Sequence, residues 1–469
     1  MSILRLSASA DTTIVNAFRA DSLTRAIYSN TGNSDALEVF SVYYKTQEGA
    51  EEPQLSRLLI KFPLEKINNL REEGKLPNSG SVSFYLKLSN IKHAFEVPEK
   101  FSVIVAPISG SDWQEGYGFD LEGYADLGYN GTNGEGANWT YASSSRGWST
   151  AGGDYYPDKA KSFYFETGLE DLEVDVTDSV EEQLASTIPN YGFIIALSGA
   201  FEQPEYNKSF YTKRFSSRSS EYFFKRPCIE ARWGTEFTDD RPDFYFYSPN
   251  AETEDNTQDL YFYNKINGTL KDLPSGVVPN VVFKNETNTN IGSAVSQKIS
   301  TGVYRCSVIL TGSQDSTIND YWVSGSTVFY KGEIDAKVRT FDEIDSPTYV
   351  LNITNLKSSY TQDELIKFKI YSREKNWSPN IYTVASKEIE GTIHKNLYYK
   401  LFRINDNYTI IDYGVYPQPS TLCSYDASGN YFMLDMSMLE TGYSYGIKFM
   451  IIDGVKKTEY PEVFRFRME

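Results

Sequence analysis

The sequence predicts an all-β chain: an N-terminal jelly-roll-like β-sandwich followed by two immunoglobulin-like β-sandwiches. Three observations point there. Short runs rich in β-branched and aromatic residues recur along the chain, bounded by Gly, Pro, Ser or Asn. Aromatics make up 15% of the 469 residues, with 36 Tyr and 28 Phe, and such rings favour half-buried strands. No segment carries the apolar periodicity of a long amphipathic helix. At about 100–200 residues per domain the length suits three domains, which composition places at 1–234, 235–342 and 343–469.

In the first segment, 81–88 (SVSFYLKL), 101–108 (FSVIVAPI), 191–197 (YGFIIAL) and Cys228–Trp233 (CIEARW) read as strands. Residues 173–184 read as a strand running into a short helix, with Thr177 or Asp178 as its cap. A second short helix is expected within 60–74. Asp175 falls outward between inward Val174 and Val176, and Thr177 ends the strand, so both are assigned structural roles. The stretch 110–158 is rich in Gly, Ser, Asn and aromatics and is expected to form long surface loops, where binding residues concentrate. Trp139 and Trp148, with Tyr117, Tyr124 and Tyr129, are therefore the candidate binding or interface residues, while Trp113 is expected in the core.

Residues 234–243 (GTEFTDDRPD) are polar and read as a linker. The strand pattern restarts at Phe244 (FYFYSP, DLYFYN, NVVFKN, GVYRCSVIL, YWVSGSTVFY), and again near Ser346 (TYVLNITNL, LIKFKIYSR, YYKLFRIN, YFMLDM, YSYGIKFMII). Short strands at this spacing suit immunoglobulin-like sandwiches. In both segments a Tyr, Tyr304 or Tyr445, sits two residues before an inward apolar position. That is the arrangement of a tyrosine corner, in which the hydroxyl bonds back to nearby backbone.

Charge and composition narrow the function. A net charge of −18 opposes nucleic-acid binding, which needs Lys and Arg to neutralise phosphates. Cys228, Cys306 and Cys423 form no C-x-x-C pair, so reduced, buried thiols are expected rather than a zinc site. The opening MSILRLSASADTTI lacks the pattern of a signal peptide, and no apolar run approaches the roughly 18–20 residues of a membrane helix. Synthesis in a cytoplasm without membrane insertion is the expectation. The two histidines, His93 and His394, lie in separate segments, which removes most Ser-His-Asp and His-based metal arrangements. His93 reads as a turn residue and His394 as structural. Asp112, Glu115, Asp120 and Glu122 are carboxylates for which glycosidase chemistry requires a defined separation. The acidic runs 112–126 and 252–255 lack EF-hand spacing. No cofactor is expected, a structural calcium ion being the one that such loops would accommodate.

An ordered series of motifs carries a resemblance. Ala10-Asp11-Thr12-Thr13-Ile14, Ser56-Arg57-Leu58-Leu59-Ile60-Lys61-Phe62-Pro63-Leu64, Asp112-Trp113-Gln114-Glu115, Val174-Asp175-Val176-Thr177, Asn190-Tyr191-Gly192-Phe193 and Arg226-Pro227-Cys228-Ile229-Glu230 follow one another through the first 234 residues. They resemble the DNRLRE family, a β-sandwich domain of bacterial and archaeal surface proteins. Pro63 in place of an Asp, and the Trp-rich loop, depart from that pattern. Residues 397–404, 422–432 and 434–436 resemble a sandwich domain in structural proteins of large tailed bacteriophages, marine T4-like phages among them.

Together these imply a non-enzymatic virion structural protein of a tailed bacteriophage: a neck, tail, fibre or capsid-decorating component made in the host cytoplasm. Its partners would be other virion proteins and further copies of itself in a homo-oligomer. The alternative is a carbohydrate-binding adhesion protein of a bacterial cell surface, with a surface glycan as partner. A polysaccharide-degrading enzyme ranks third.

Overall fold

The computed structural model describes residues 2–19, 24–45, 49, 51–73, 76–92, 97–119, 136–202, 208–234, 237–339, 348–376, 391–414, 420–453 and 456–469. The expectation for His93 falls outside them. The chain divides into two compact units, Ile3–Trp233 and Gly234–Glu469.

The first unit is the jelly-roll-like sandwich. Its strands are β1 (Ser2–Ser7), β2 (Ala10–Asn16), β3 (Ala36–Lys45), β4 (Glu51–Lys61), β5 (Val82–Leu88), β6 (Phe101–Pro107), the small hairpin β7 (Tyr141–Ser143) and β8 (Arg146–Gly147), then β9 (Lys161–Phe165), β10 (Leu172–Asp175), β11 (Phe193–Leu197), β12 (Phe210–Ser216) and β13 (Cys228–Trp233). One sheet runs β1-β13-β5-β10, and the other β12-β3-β4-β11-β6-β9 with β2 also on β4. Strand β4 is long enough to serve three partners. Its first half pairs with β3, and its second half lies between β2 and β11. Leu58, Ile60, Phe193, Ile195, Val103 and Val105 face the other sheet and form the main core with Phe84, Leu86 and Ile229.

The expected helices are α1 (Glu65–Glu72) and α2 (Thr177–Leu184); a single turn, α3 (Gly199–Glu202), follows β11. Neither Thr177 nor Asp178 caps α2. Asp175 does this work from two residues before the helix, its Oδ1 accepting the Thr177 N–H at 2.9 Å. The Thr177 hydroxyl instead accepts the Phe84 N–H at 2.9 Å, tying the helix start to β5.

The second unit holds the two immunoglobulin-like sandwiches. The first contains β14 (Gln258–Tyr263), the minor hairpin β15 (Lys265–Ile266) and β16 (Thr269–Leu270), β17 (Asn280–Asn285), β18 (Asn290–Ser300), β19 (Val303–Val308), β20 (Ser316–Ser324) and β21 (Thr327–Ala336), in the order β14-β19-β18-β17-β20-β21. Strand β18 pairs β17 along 290–295 and β19 along 296–300, so it turns the corner between the two layers. Phe262, Phe283, Tyr304, Cys306 and Trp322 fill the space between. The segment 244–249, expected as a strand, makes only an isolated bridge at Tyr245, yet it buries Phe244 and Phe246.

The last sandwich has β22 (Tyr349–Ile353), β23 (Ser359–Tyr360), β24 (Leu365–Glu374), β25 (Leu397–Arg403), β26 (Thr409–Ile411), β27 (Ser424–Asp426), β28 (Gly429–Asp435), β29 (Ser444–Asp453), β30 (Lys456–Glu459) and β31 (Phe464–Met468). Its sheets run β22-β24-β28-β27 and β23-β31-β29-β25-β26. The chain changes sheets between β22 and β23, where β23 lies parallel to β31. This is the four-plus-three plan of an immunoglobulin domain with added edge strands. Tyr445 makes the expected corner: it is fully buried at the start of β29, and its hydroxyl donates to Glu440 O at 2.7 Å. Tyr304 is equally buried, but its hydroxyl accepts the Leu273 N–H at 2.9 Å, thirty-one residues upstream. It is a cross-tie rather than a corner.

The expected linker is a clasp. Phe237 and Asp239 bond to β27: the Tyr425 N–H donates to Phe237 O at 2.9 Å, and the Asp239 N–H to Tyr425 O at 3.2 Å. Asp240 accepts from the Tyr425 hydroxyl at 2.9 Å and from the Asp259 N–H at 2.8 Å, and pairs with Lys395 at 3.0 Å. One buried carboxylate thus grips both sandwiches of this unit.

His394 is buried, with Nε2 2.6 Å from Ser372 Oγ, and burial pushes its pKa down to about 4. The unfolded chain, near 6.5, takes up the proton first, so this contribution to stability is present above pH 6.5 and is lost as pH falls towards 4. Calorimetry of the full chain should show the last sandwich losing on the order of 2–3 kcal/mol over that window, and His394→Gln flattening the loss. Tyr445→Phe should lower stability in urea unfolding by about 1 kcal/mol; an unchanged midpoint would refute the corner's contribution.

Candidate binding loop

Strands β4, β6 and β11 are apolar on both faces. Leu55, Leu59, Ala106, Ile108 and Ile194 point away from the main core and need a second cover. The loop segment that follows β6 supplies it. Trp113, Trp139 and Trp148 all pack onto this outer face, 5%, 7% and 8% exposed. Trp113 lies where the sequence placed it, with its Nε1–H donating to Tyr191 O at 2.7 Å. Trp139 and Trp148 overturn the surface assignment. The Trp148 Nε1–H donates to Asn138 O at 2.9 Å, and the Arg57 guanidinium lies 5.2 Å from the Trp139 ring. Arg57 is itself fixed by both Glu202 oxygens at 2.7 and 3.0 Å, and by Gly152 O at 2.9 Å.

Tyr117 is the candidate that reaches solvent, 71% exposed, and Phe119, which the sequence reading passed over, is 69% exposed. Tyr124 and Tyr129 lie outside the described residues. The Gly116-Tyr117-Gly118-Phe119 run explains the exposure. Gly116 and Gly118 are buried and alternate with the two rings. A Cβ on Gly116 would sit 1.8 Å from Asn30 Oδ1, and the same oxygen accepts the Gly118 N–H at 3.3 Å. With glycine obligatory on the inner side at Gly116, the rings project outward.

A latch holds the base of this loop. Glu115 Oε1 accepts the Asp11 N–H at 2.8 Å and the Arg218 Nε–H at 2.6 Å, while Oε2 meets Arg218 Nη2 at 2.5 Å. The Arg218 backbone N–H donates to Asp11 Oδ2 at 2.6 Å. Asp11 and Glu115, the acidic members of two separate sequence motifs, thus meet through Arg218. Burial pushes the Asp11 carboxyl up to about 7, with the Glu115 charge adding to it against Arg218. The Arg218 guanidinium is spent on Glu115, so Asp11 receives mainly a backbone bond. Sequence spacing gave no sign of this meeting.

Other expected features place as follows. Glu173, Asp175, Thr177 and Asp178 line a pocket of about 470 Å³ with Lys161 and Phe163. Among the described residues no cluster of three metal-ligating side chains occurs; Asp120, Glu122 and Asp126 lie outside them. The residues at 252–255 are exposed. All three cysteines are buried and unpaired. No described helix is long and apolar enough to cross a membrane.

No family model and no curated protein matches this sequence. Solved structures that align include fibronectin(III)-like modules of CbhA from Clostridium thermocellum, 11% identical over 50% of this chain and 92% of that chain, with a TM-score of 0.15. The N-terminal Ig1-2 module of the Drosophila receptor protein tyrosine phosphatase DLAR aligns at 8% identity over 46% and 91%, with a TM-score of 0.14. Escherichia coli alpha-2-macroglobulin activated by porcine elastase aligns at 14% identity over 45% of this chain and 20% of its own, with a TM-score of 0.16. Likenesses at these scores carry no argument about this chain.

Because the folded-state pKa of Asp11 lies above its unfolded value, its contribution to stability is full below about pH 4 and is lost as pH rises through 7. Asp11→Asn should gain on the wild type by on the order of 2–4 kcal/mol between pH 4 and 8, read by urea unfolding with tryptophan fluorescence. Parallel pH curves for the two proteins would show that Asp11 is ionised throughout.

Proposed function

We propose that this chain is a non-enzymatic structural protein of a tailed-phage particle, acting through protein–protein interfaces, with the Tyr117–Phe119 loop as a principal contact. The observation that carries the interface reading is a pair of exposed rings on a loop fixed from below by Asn30, Glu115 and Arg218. Fixed aromatic anchors lose little entropy on docking and dominate interface energies. The phage assignment rests on the motifs within 397–436. These fall on β25, β27 and β28 of an immunoglobulin-plan sandwich, a module suited to stacking between larger assemblies.

A second reading keeps the same loop with a different occupant. Two rings two residues apart also suit the faces of a sugar, which would make the chain a glycan-binding surface adhesin. Antibody against the purified chain separates the two: labelling of particles released on lysis supports the phage reading, and labelling confined to intact cells supports the adhesin. In either case Tyr117→Ala and Phe119→Ala should each weaken capture of the partner about 10- to 100-fold. Trp139→Ala should instead destabilise the fold, by about 3–5 kcal/mol. Binding unaffected by either loop variant removes this loop from the function.

A further inference from the structure

Lys213 on β12 is fully buried, a costly place for an ammonium. Its Nζ contacts three oxygens at 2.7 Å each: Gly168 O, Glu170 O and the side-chain Oδ1 of Asn90. The Phe165 and Phe215 rings lie 4.5 and 5.4 Å from Nζ. Two of the three acceptors are backbone carbonyls. The third is a primary carboxamide, whose carbonyl carbon is an electrophile that a positioned neutral amine can attack, with ammonia as the leaving group.

We propose that Lys213 and Asn90 form an intramolecular isopeptide bond. The neutral Lys213 Nζ attacks Asn90 Cγ; the Nζ–Cγ bond forms, the Cγ–Nδ2 bond breaks, and one proton passes from Nζ to Nδ2, which leaves as ammonia. No oxidant or cofactor is needed. Glu170 is the proton carrier: its charge is the strongest acting on Lys213, and its Oε2 is buried without a partner. Burial also pulls the Lys213 pKa down to about 8, so on the order of a tenth of the amine is unprotonated at pH 7.

The bond would join residues 123 positions apart, linking the end of β5 in one sheet to β12 in the other. All three thiols are unpaired, so such a cross-link would be covalent reinforcement independent of redox conditions. That suits a protein that must withstand force or proteases outside the cell in which it was made.

Intact-mass spectrometry of the purified full chain, after incubation at pH 8–9, is the test. The expected result is a mass lower by one ammonia than the sequence requires, with a branched tryptic peptide joining Lys213 to Asn90. Lys213→Arg and Asn90→Ala should return the full sequence mass, and Glu170→Gln should slow the loss at least 10-fold. The wild type needs no variant to be decisive. A chain at its full sequence mass, or an ammonia loss mapped to another residue, overturns the proposal.

Discussion

The need to bury both faces of the larger sheet in the first unit governs most of what is distinctive about it. Strands β4, β6 and β11 present apolar side chains alternately to the main core and to the opposite side. A sheet of this kind left uncovered would expose Leu55, Leu59 and Ile194 to water, at roughly 25 cal/mol per Å² of apolar surface. Among the described residues there is no long helix to lay across it, and a loop takes the task. That is why a Gly-rich and outwardly polar segment carries three tryptophans inward. With Trp113 seated and Gly116 and Gly118 held against Asn30, Tyr117 and Phe119 are left pointing away from the sheet.

Covering a sheet with a loop brings backbone and charged groups into places where water cannot serve them. The structure answers with paired charges. The other sheet uses the same device on β13, where burial alone would raise the Glu230 pKa but Arg5, Lys87 and Arg232 outweigh it and bring it down to about 2. Arg57 and Glu202 form a two-pronged pair beneath Trp139. Such pairs contribute little net stability over an apolar alternative, yet losing one partner strands the other at a cost of about 3–5 kcal/mol. Here Arg57 joins the sheet to both Glu202 and the Gly152 carbonyl of the covering loop. Asp11 is the exception, a buried carboxyl that lacks a guanidinium of its own.

Much of this was legible in the sequence where local pattern and tertiary environment agree. The strands expected at 81–88 and 228–233 and the strand–helix unit expected at 173–184 fall on β5, β13 and β10–α2, and the Tyr445 corner forms as alternation and turn residues suggest. Strand β18 was missed because NIGSAVSQKIS has polar residues on both sides; its outward Val295 is 76% exposed. Trp139 and Trp148 depart from the surface expectation because loop composition does not dictate exposure. A better signal was present in RLLI and FIIAL, since near-continuous apolar runs mark strands covered on both faces. Phe119 follows from the same logic as Tyr117 once Gly116 and Gly118 are seen as the inward members of an alternating run. The meeting of Asp11, Glu115 and Arg218 depends on contacts across 207 residues, and no local pattern encodes it.

The segment 237–241 shows how far composition can mislead about mechanics. Its acidic sequence, followed by Pro242, has the look of a flexible tether, yet Asp239 and Asp240 are 2% and 6% exposed. Arg241 bonds Asp239 at 2.8 Å and Asp320 at 2.6 Å, and the Trp322 indole N–H reaches the same Asp320 oxygen at 2.7 Å. One short segment therefore ties the interior of the first immunoglobulin-like sandwich to strand β27 of the second. Polar residues in a true linker would each be satisfied by water and leave the angle between domains free. Here their partners are protein atoms on both sides, so a change in that angle would break several buried bonds at once. Two sandwiches joined in this way resist bending as one body, the property a protein needs if it transmits load or holds a fixed spacing between partners.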